Sequence, residues 1–449
     1  MLSIAGWFGK DPLAAAPWIQ GIFLAATTAL TALAAWRLTR SAAAAATASL
    51  LAAATVLETV SYALSEGLFT ALLLAALLLL AGHLDRPRWW MLAGAGAAAG
   101  LALLTRFAGA SILIAAAGVL LFYNAGPGRS LMRKIIDTGV FLALALIPTL
   151  LWSWHLGSVE TATARSIAFH PPGGDAIKLG LATLGSMTGK NKSAWMGLAA
   201  VVAALGYLVW RFWPRSRRRR PAGGALMVVM LVFALLYVPF LIISMTLMDA
   251  ATALNSRILC PLAAPLAVVA MGLTWEWIQR GAIARLIIAI ILAALGSTKL
   301  YKSISWCVQT HHKGLGYSSL AWRDSSVLQW AARLPQDQRI YTNGKDVFYF
   351  LQDRLTESLP ATANRKRKVI KNSENIKTPM ETLARKLAEN HGLLIYFDGI
   401  DRGDFLADAA TIKKYMPLQL VKELPDGKVY RLDQRRPATQ AATQGAAGL

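Results

Sequence analysis

The sequence predicts an α-helical polytopic membrane protein with a small C-terminal α/β domain outside the cytoplasm. Of the 449 residues, 55% are hydrophobic and only 16% are charged, and the mean hydropathy is +0.45. A soluble chain of this length needs more charge to cover its surface, and a disordered chain has fewer apolar residues, so both classes are excluded. Long apolar runs fill residues 1–300, whereas residues 301–436 place many charges between short apolar runs.

About ten apolar runs within residues 1–300 approach the length of a membrane-crossing helix, which is about 20 residues and about 17 at the short end. The predicted spans are 13–36, 41–57, 67–81, 89–104, 109–123, 139–152, 194–212, 225–247, 258–275 and 282–295. We therefore expect a multi-span domain.

The distribution of basic residues predicts which loops face the cytoplasm, since cytoplasmic loops are enriched in Lys and Arg. If the first span runs inward, the inside loops and their flanks hold fifteen Lys and Arg, including the run Arg217–Arg220, against seven in the opposite loops. This orientation places residues 301–436 outside. The net charge of +22 then reflects cytoplasmic loops and anionic membrane lipids, and no nucleic acid is expected as a partner.

The same orientation places the N-terminus outside, although no cleavable signal peptide precedes the first span. We therefore expect a further span upstream, making about eleven in all.

Residues 301–436 are predicted to form a compact α/β domain. Its predicted elements are helices at 325–334, 346–352 and 378–390, strands at 338–341 and 393–397, and a hairpin of 418–423 with 428–432. The basic stretch 366–377 is predicted as a loop, and the Ala/Gln/Gly-rich residues 437–449 are predicted to be a disordered tail.

Polar residues cluster where the second and third spans meet. Glu58, Tyr62 and Glu66 are four residues apart and would share a face if one helix continued through them. A charge at membrane depth costs roughly 2.5–3.5 kcal/mol, which favours a functional reason for it. Glu66 is therefore a candidate catalytic residue, and Glu58 and Tyr62 are candidates for lining the substrate site. Alternatively, Ser65 caps the next helix and Glu66 only occupies its first turn.

Arg106 and Arg257 lie at the outer ends of predicted spans, against the positive-inside trend. A guanidinium suits a phosphate in bidentate geometry, so both are candidate phosphate contacts. The alternatives are an interfacial anchor and a salt bridge to a carboxylate. The long outer loop 153–193 adds Lys190 and Lys192 as further phosphate contacts and His170 as a site-lining residue.

The sequence does not predict a metal site or a cofactor. Its six histidines are scattered, and no His/Cys/Asp/Glu group has metal-ligand spacing. There is no Gly-rich phosphate loop after a strand and no Gly-x-Ser-x-Gly elbow, so nucleotide hydrolysis is not supported.

Three segments resemble motifs of the GT-C membrane glycosyltransferases, the group that includes protein O-mannosyltransferases and bacterial aminoarabinose transferases. They are residues 63–69 (ALSEGLF), 93–106 (AGAGAAAGLALLTR) and 255–265 (NSRILCPLAAP). Their order and sidedness match that group, and the resemblance runs from about residue 7 to 435, including the outer domain. Two positions depart from the pattern, with Gly67 and Phe107 where the group usually has proline.

The resemblance implies a glycosyltransferase in the plasma (inner) membrane that belongs to the machinery of the cell envelope. It would move a sugar from a polyprenyl-phosphate carrier to an acceptor lipid, glycan or protein on the outer face. The resemblance also implies phosphate contacts at Arg106 and Arg257. The group carries its catalytic acidic residue in a long first outer loop, and this chain begins near what resembles the end of that loop. We expect that residue upstream, with the missing span.

Two alternatives from other functional classes stay open. One is a non-catalytic subunit that binds the carrier lipid or serves in assembly and lacks the catalytic loop. The other is a transporter, although the sequence shows neither internal repeats nor paired interrupted spans.

Overall fold

The computed structural model describes residues 12–62, 65–123, 130–156, 169, 171–188, 206, 224–248, 252–279, 281–361, 363–364, 369–370, 373–400 and 406–433. The chain divides into two compact units, the first ending at Cys307 and the second beginning at Val308. The boundary expected from the sequence, at residue 300, lies seven residues earlier.

The first unit is helical throughout its described part. Its helices are α1 (Pro12–Thr39), α2 (Ala42–Ser61), α3 (Glu66–Asp85), α4 (Trp89–Thr105), α5 (Ala110–Phe122), α6 (Leu131–Leu156), α7 (Gly174–Thr188), α8 (Gly224–Leu247), α9 (Ser256–Leu259), α10 (Ala263–Ile278) and α11 (Ala282–Lys313), with 3₁₀ turns at Phe107–Gly109 and Cys260–Leu262. Seven described segments are long and apolar enough to cross a membrane, and α4 and Phe107–Phe122 are shorter apolar segments. The chain is a multi-pass membrane protein. The predicted span 194–212 lies outside the described residues.

Small residues allow α4 to approach α6 closely. A Cβ at Gly96 would meet the carbonyl oxygen of Phe141 at 3.0 Å, and a Cβ at Gly100 would overlap the backbone of Ala145. This Gly-xxx-Gly spacing is the pattern by which helices pack backbone to backbone in membranes. The contact fixes α4, whose last residue directly precedes Arg106.

Contacts between polar side chains join helices at the far end of α3. His83 Nε2 lies 3.2 Å from Asp137 Oδ2 on α6, and Arg133 Nε lies 3.1 Å from Asp137 Oδ1. Arg37 on α1 pairs with Asp85 at 2.9 Å. These contacts hold α1, α3 and α6 together at the end of α3 opposite Glu66.

The second unit contains a five-stranded mixed sheet. Its strands are β1 (Ile340–Thr342), β2 (Glu357–Ser358), β5 (Leu393–Phe397), β6 (Leu418–Leu424) and β7 (Gly427–Leu432), and a separate pair consists of β3 (Ala363–Asn364) and β4 (Val369–Ile370). The sheet order is β2-β1-β5-β7-β6, with β1 parallel to both neighbours and β7 antiparallel to both of its own.

Helices pack on both faces of this sheet. They are α12 (Leu320–Arg323), α13 (Ser326–Ala331), α14 (Lys345–Gln352), α15 (Ser373–Glu389) and α16 (Ala409–Tyr415). One core forms around Phe348 and Phe397, and the other around Met380, Leu394 and Ile412. A small α/β unit, as expected from the sequence, is therefore present.

Several predicted elements of this unit need correction. The helix predicted at 325–334 ends at Ala331, and α15 begins at Ser373, inside the stretch predicted as a loop. The first residues of α15, Ser-Glu-Asn, are polar and carry no apolar periodicity, which is why the hydrophobic pattern missed them. The strand 393–397 and the hairpin of 418–423 with 428–432 are confirmed, whereas α16 and β2–β4 were not predicted.

Candidate functional site

Three charged residues from distant parts of the sequence meet at one end of the helical unit. Glu66 Oε1 forms ion pairs with Arg106 Nη1 and with Arg257 Nε, the latter at 2.6 Å. Glu66 is the first residue of α3, Arg106 follows α4, and Arg257 belongs to α9. We call these three residues the Glu–Arg–Arg cluster.

A break between helices presents Arg106 to the cluster. Its backbone is extended, with φ −151° and ψ 137°, between the end of α4 and the 3₁₀ turn that begins at Phe107. Arg106 N donates to the carbonyl of Ala102 at 3.0 Å, and its own carbonyl accepts from Gly109 N at 2.8 Å. The Arg106 backbone is therefore fixed on both sides.

Arg257 is held by the short helix α9, which is too short to be stable alone. The side chain of Asn255 caps it by accepting from Ile258 N at 3.2 Å. Tyr237 on α8 donates its hydroxyl to the carbonyl of Ile258 at 2.8 Å. These two side chains keep Arg257 beside Glu66.

The cluster carries an excess of positive charge. Two guanidinium groups and one carboxylate leave a net charge of +1. Glu66 is fully buried, whereas the Arg106 and Arg257 side chains are 16% and 51% exposed. Within the described part of the chain, Glu66 Oε2 has no hydrogen-bond partner. A buried carboxylate is stable only when paired, so Glu66 holds the two arginines together, and Arg257 remains accessible to an anion.

The structure separates the other residues predicted near Glu66. Helix α2 ends at Ser61 and α3 begins at Glu66, so Glu58 and Glu66 do not share a helix face as predicted for a continuous helix. Glu58 is exposed, as is Tyr62, at 40%. Ser65 precedes α3, but its side chain makes no capping hydrogen bond. Predicted residues His170, Lys190 and Lys192 lie outside the described residues.

A salt bridge to a carboxylate was one of the alternatives for each arginine. Both arginines form it, and they share a single glutamate, Glu66.

Sequence reasoning missed Tyr237, which supports α9. Its signal was a phenol hydroxyl within an otherwise apolar span, where such a group needs a hydrogen-bond partner. Cys260 follows α9 and is buried beside Val56, Val60 and Ala263, which assigns it a packing role.

Comparisons with known proteins agree with the resemblance in the sequence. Residues 7–152 match the family described as dolichyl-phosphate-mannose-protein mannosyltransferase. No curated protein matches the whole sequence at a significant level. Among solved structures, ArnT from Cupriavidus metallidurans bound to undecaprenyl phosphate is similar, with 13% identity and a TM-score of 0.52 over 95% of this chain and 85% of that chain.

A second similar structure is the oligosaccharyltransferase of Archaeoglobus fulgidus in complex with Zn and sulfate. It shares 14% identity, with a TM-score of 0.39 over 97% of this chain and 64% of that chain. The assignment of fold rests on the family match and on ArnT. This chain has a GT-C-type glycosyltransferase fold with a small C-terminal sheet domain.

Proposed function

We propose that this protein is a glycosyltransferase that uses a sugar linked to a polyprenyl phosphate. The observation that carries the proposal is the Glu–Arg–Arg cluster, in which one buried carboxylate holds two guanidinium groups. Its net charge of +1 and the accessible side chain of Arg257 suit a phosphate group at the membrane boundary. The family match describes a transferase of lipid-phosphate-linked mannose, and the similar ArnT structure holds undecaprenyl phosphate.

The reaction requires two kinds of protein group. The acceptor hydroxyl attacks C1 of the sugar, the bond between C1 and the phosphate oxygen breaks, and the phosphate leaves with the bonding electrons. Cations that stabilise the charge developing on the leaving phosphate lower the barrier. We assign this role to Arg106 and Arg257. The proton of the acceptor hydroxyl goes to a carboxylate acting as general base.

We assign Glu66 to positioning and not to proton transfer. A base must reach the acceptor hydroxyl, whereas the Glu66 side chain is fully buried and its Oε1 already pairs with both arginines. Its removal would leave two guanidinium groups repelling each other at close range. Glu66 thus sets the distance between the two phosphate contacts.

The remaining details of the proposal come from the sequence. The excess of basic residues in alternate loops favours a plasma-membrane orientation with the cluster and the C-terminal domain on the outer face. The acceptor is then a lipid, glycan or protein available outside the cytoplasm. Lys190, Lys192 and His170 belong to the same outer loop and remain candidates for additional substrate contacts.

The test measures carrier binding and sugar transfer by the full chain in nanodiscs. Arg106→Ala and Arg257→Ala should each weaken binding of polyprenyl phosphate and reduce release of polyprenyl phosphate from a radiolabelled polyprenyl-phosphate sugar. The matched control is Arg37→Ala, which removes another arginine–carboxylate pair at the far end of α3, about 28 Å away by helical rise.

Intact binding and transfer in both arginine variants would refute the assignment. Arginine-dependent binding of polyprenyl phosphate without any transfer, across lipid, glycan and protein acceptors, would instead favour the carrier-binding subunit. An equal loss of carrier binding and sugar transfer in Arg37→Ala would show that breaking any ion pair disturbs the helical unit. That result would refute the phosphate role of Arg106 and Arg257.

A further inference from the structure

A narrow groove lies between α2, α10 and α11, and none of its lining residues belongs to the Glu–Arg–Arg cluster. Its volume is about 160 Å³. The walls are formed mainly by aliphatic side chains, among them Leu51, Ala267, Met271, Leu292 and Leu295. Helix α11 has no fully buried residue, and the three side chains by which it lines the groove, Leu292, Leu295 and Lys299, are half-buried.

The length of the groove matches one leaflet of a bilayer. Along α10 the lining extends from Ala263 to Thr274, which is about 16 Å at the α-helical rise of 1.5 Å per residue. Half of the hydrocarbon core is about 15 Å. The groove therefore matches a single hydrocarbon chain of one leaflet in length, and its open side leaves the rest of the chain in contact with the bilayer.

The two threonine hydroxyls of the lining are already used within their own helices. Thr55 donates its hydroxyl to the carbonyl of Leu51 at 2.7 Å, and Thr274 donates to the carbonyl of Ala270 at 2.8 Å. Neither hydroxyl can donate to a ligand without losing that bond. The groove thus offers a hydrocarbon surface, which is unsuited to a sugar or to ordered water.

One end of the groove carries positive charge. Lys299 lines the groove, is half-buried, and donates to the carbonyl of Ser186 at 3.2 Å. Lys302 follows on the same helix, is exposed, and lies on the neighbouring turn. Among the described residues, neither lysine pairs with a carboxylate, and neither contacts Glu66 or Arg257. The groove therefore has cationic side chains of its own, which are not members of the cluster.

We propose that this groove binds a bilayer phospholipid with an anionic headgroup. One acyl chain would occupy the apolar groove, and its phosphate would pair with Lys299 and Lys302. Each basic residue at a membrane surface contributes about 1 kcal/mol toward anionic lipid, which corresponds to about fivefold in affinity. The bound chain would fill the space between α11 and the two helices behind it.

The experiment is native mass spectrometry of the full chain released from nanodiscs of phosphatidylcholine containing phosphatidylglycerol. The wild-type protein should retain phosphatidylglycerol in excess of its share in the nanodisc. Lys299→Gln should lower that retention about fivefold, and adding Lys302→Gln should lower it further. The matched control is Lys313→Gln, an exposed lysine in the last turn of the same helix, which should leave retention unchanged.

A second variant tests the apolar part of the site. Ala267→Phe places a ring in the groove and should displace the lipid while the unfolding temperature in detergent stays within a few degrees of wild type. The proposal is overturned if Lys299→Gln retains as much phosphatidylglycerol as Lys313→Gln. It is also overturned if lipids are retained in their bulk ratio, or if added polyprenyl phosphate competes for the same single position and depends on Lys299.

Discussion

Replacing Arg257 by alanine gives the sharpest test of the proposed phosphate site. Arg257 Nε lies 2.6 Å from Glu66 Oε1 in an ion pair, and the Arg257 side chain is 51% exposed. A guanidinium has five N–H donors, so several remain for an anion after the bond to Glu66 is made. In Arg257→Ala these donors disappear, while Glu66 keeps its ion pair with Arg106.

The expected magnitude follows from these contacts. A hydrogen bond to a charged group contributes about 1.5–3 kcal/mol, which corresponds to about 10- to 150-fold in Kd. Arg257→Lys keeps the charge but loses the planar fork, so its Kd should lie closer to that of the alanine variant than to wild type. Arg106→Ala should additionally lower stability more than Arg257→Ala does, because the Arg106 side chain is only 16% exposed and that of Arg257 is 51% exposed.

The assay is calorimetric titration of the full chain in detergent with a short-chain polyprenyl phosphate, beside a thermal unfolding curve for each variant. Arg37→Ala reports what an ion-pair loss elsewhere in the bundle does. A Kd for Arg257→Ala within threefold of wild type would refute the reasoning. A loss of affinity that is proportional to the loss of stability across all the arginine variants would refute it as well.

Three further predictions follow from single contacts. Glu66→Gln should weaken titrated binding of polyprenyl phosphate despite the added net positive charge, because the arginines lose their common partner; tighter binding would contradict the positioning role. Gly100→Val should lower the unfolding temperature through overpacking of about 1–3 kcal/mol against α6, whereas Gly118→Val, with open space around it, should not. Hydrogen bonds from Thr411 hold the pKa of Asp408 below its usual range, so this cap stabilises α16 above the usual aspartate range and is lost as pH falls through the lowered pKa. Hydrogen exchange at the Thr411 amide, corrected for intrinsic rates, should show that pH dependence in the wild type but not in Asp408→Asn.

Short runs of apolar residues and turn residues predicted the strand β5 and the hairpin of β6 and β7. The run Leu393–Phe397 is apolar and short and ends before Asp398-Gly399, and the structure contains that strand. The Pro-Asp-Gly turn likewise marked the hairpin of β6 and β7. By contrast, α16 was missed because it has seven residues and a single fully buried side chain, Ile412, so it leaves no periodic signal.

The cluster could be predicted only in part, for a different reason. The sequence identified Glu66, Arg106 and Arg257 separately, each as a charge at the end of a span. Their convergence is a long-range property, because 191 residues separate Glu66 from Arg257. No periodicity encodes a pairing of that kind. The phenol hydroxyl of Tyr237 in an apolar span indicated that it needs a partner, but the sequence did not show that this partner is the carbonyl of Ile258, 21 residues further on.

The desolvation of Glu66 is a cost in stability that the proposed function accounts for. Burying a carboxylate costs several kcal/mol, and an apolar residue at the start of α3 would avoid that cost. Two arginines brought together without an acid would repel each other and move apart into water. A buried glutamate cancels one of their two charges and keeps the other available at the partly exposed Arg257. A bundle stabilised only by packing has no need of such an arrangement, whereas the phosphate site that we propose does.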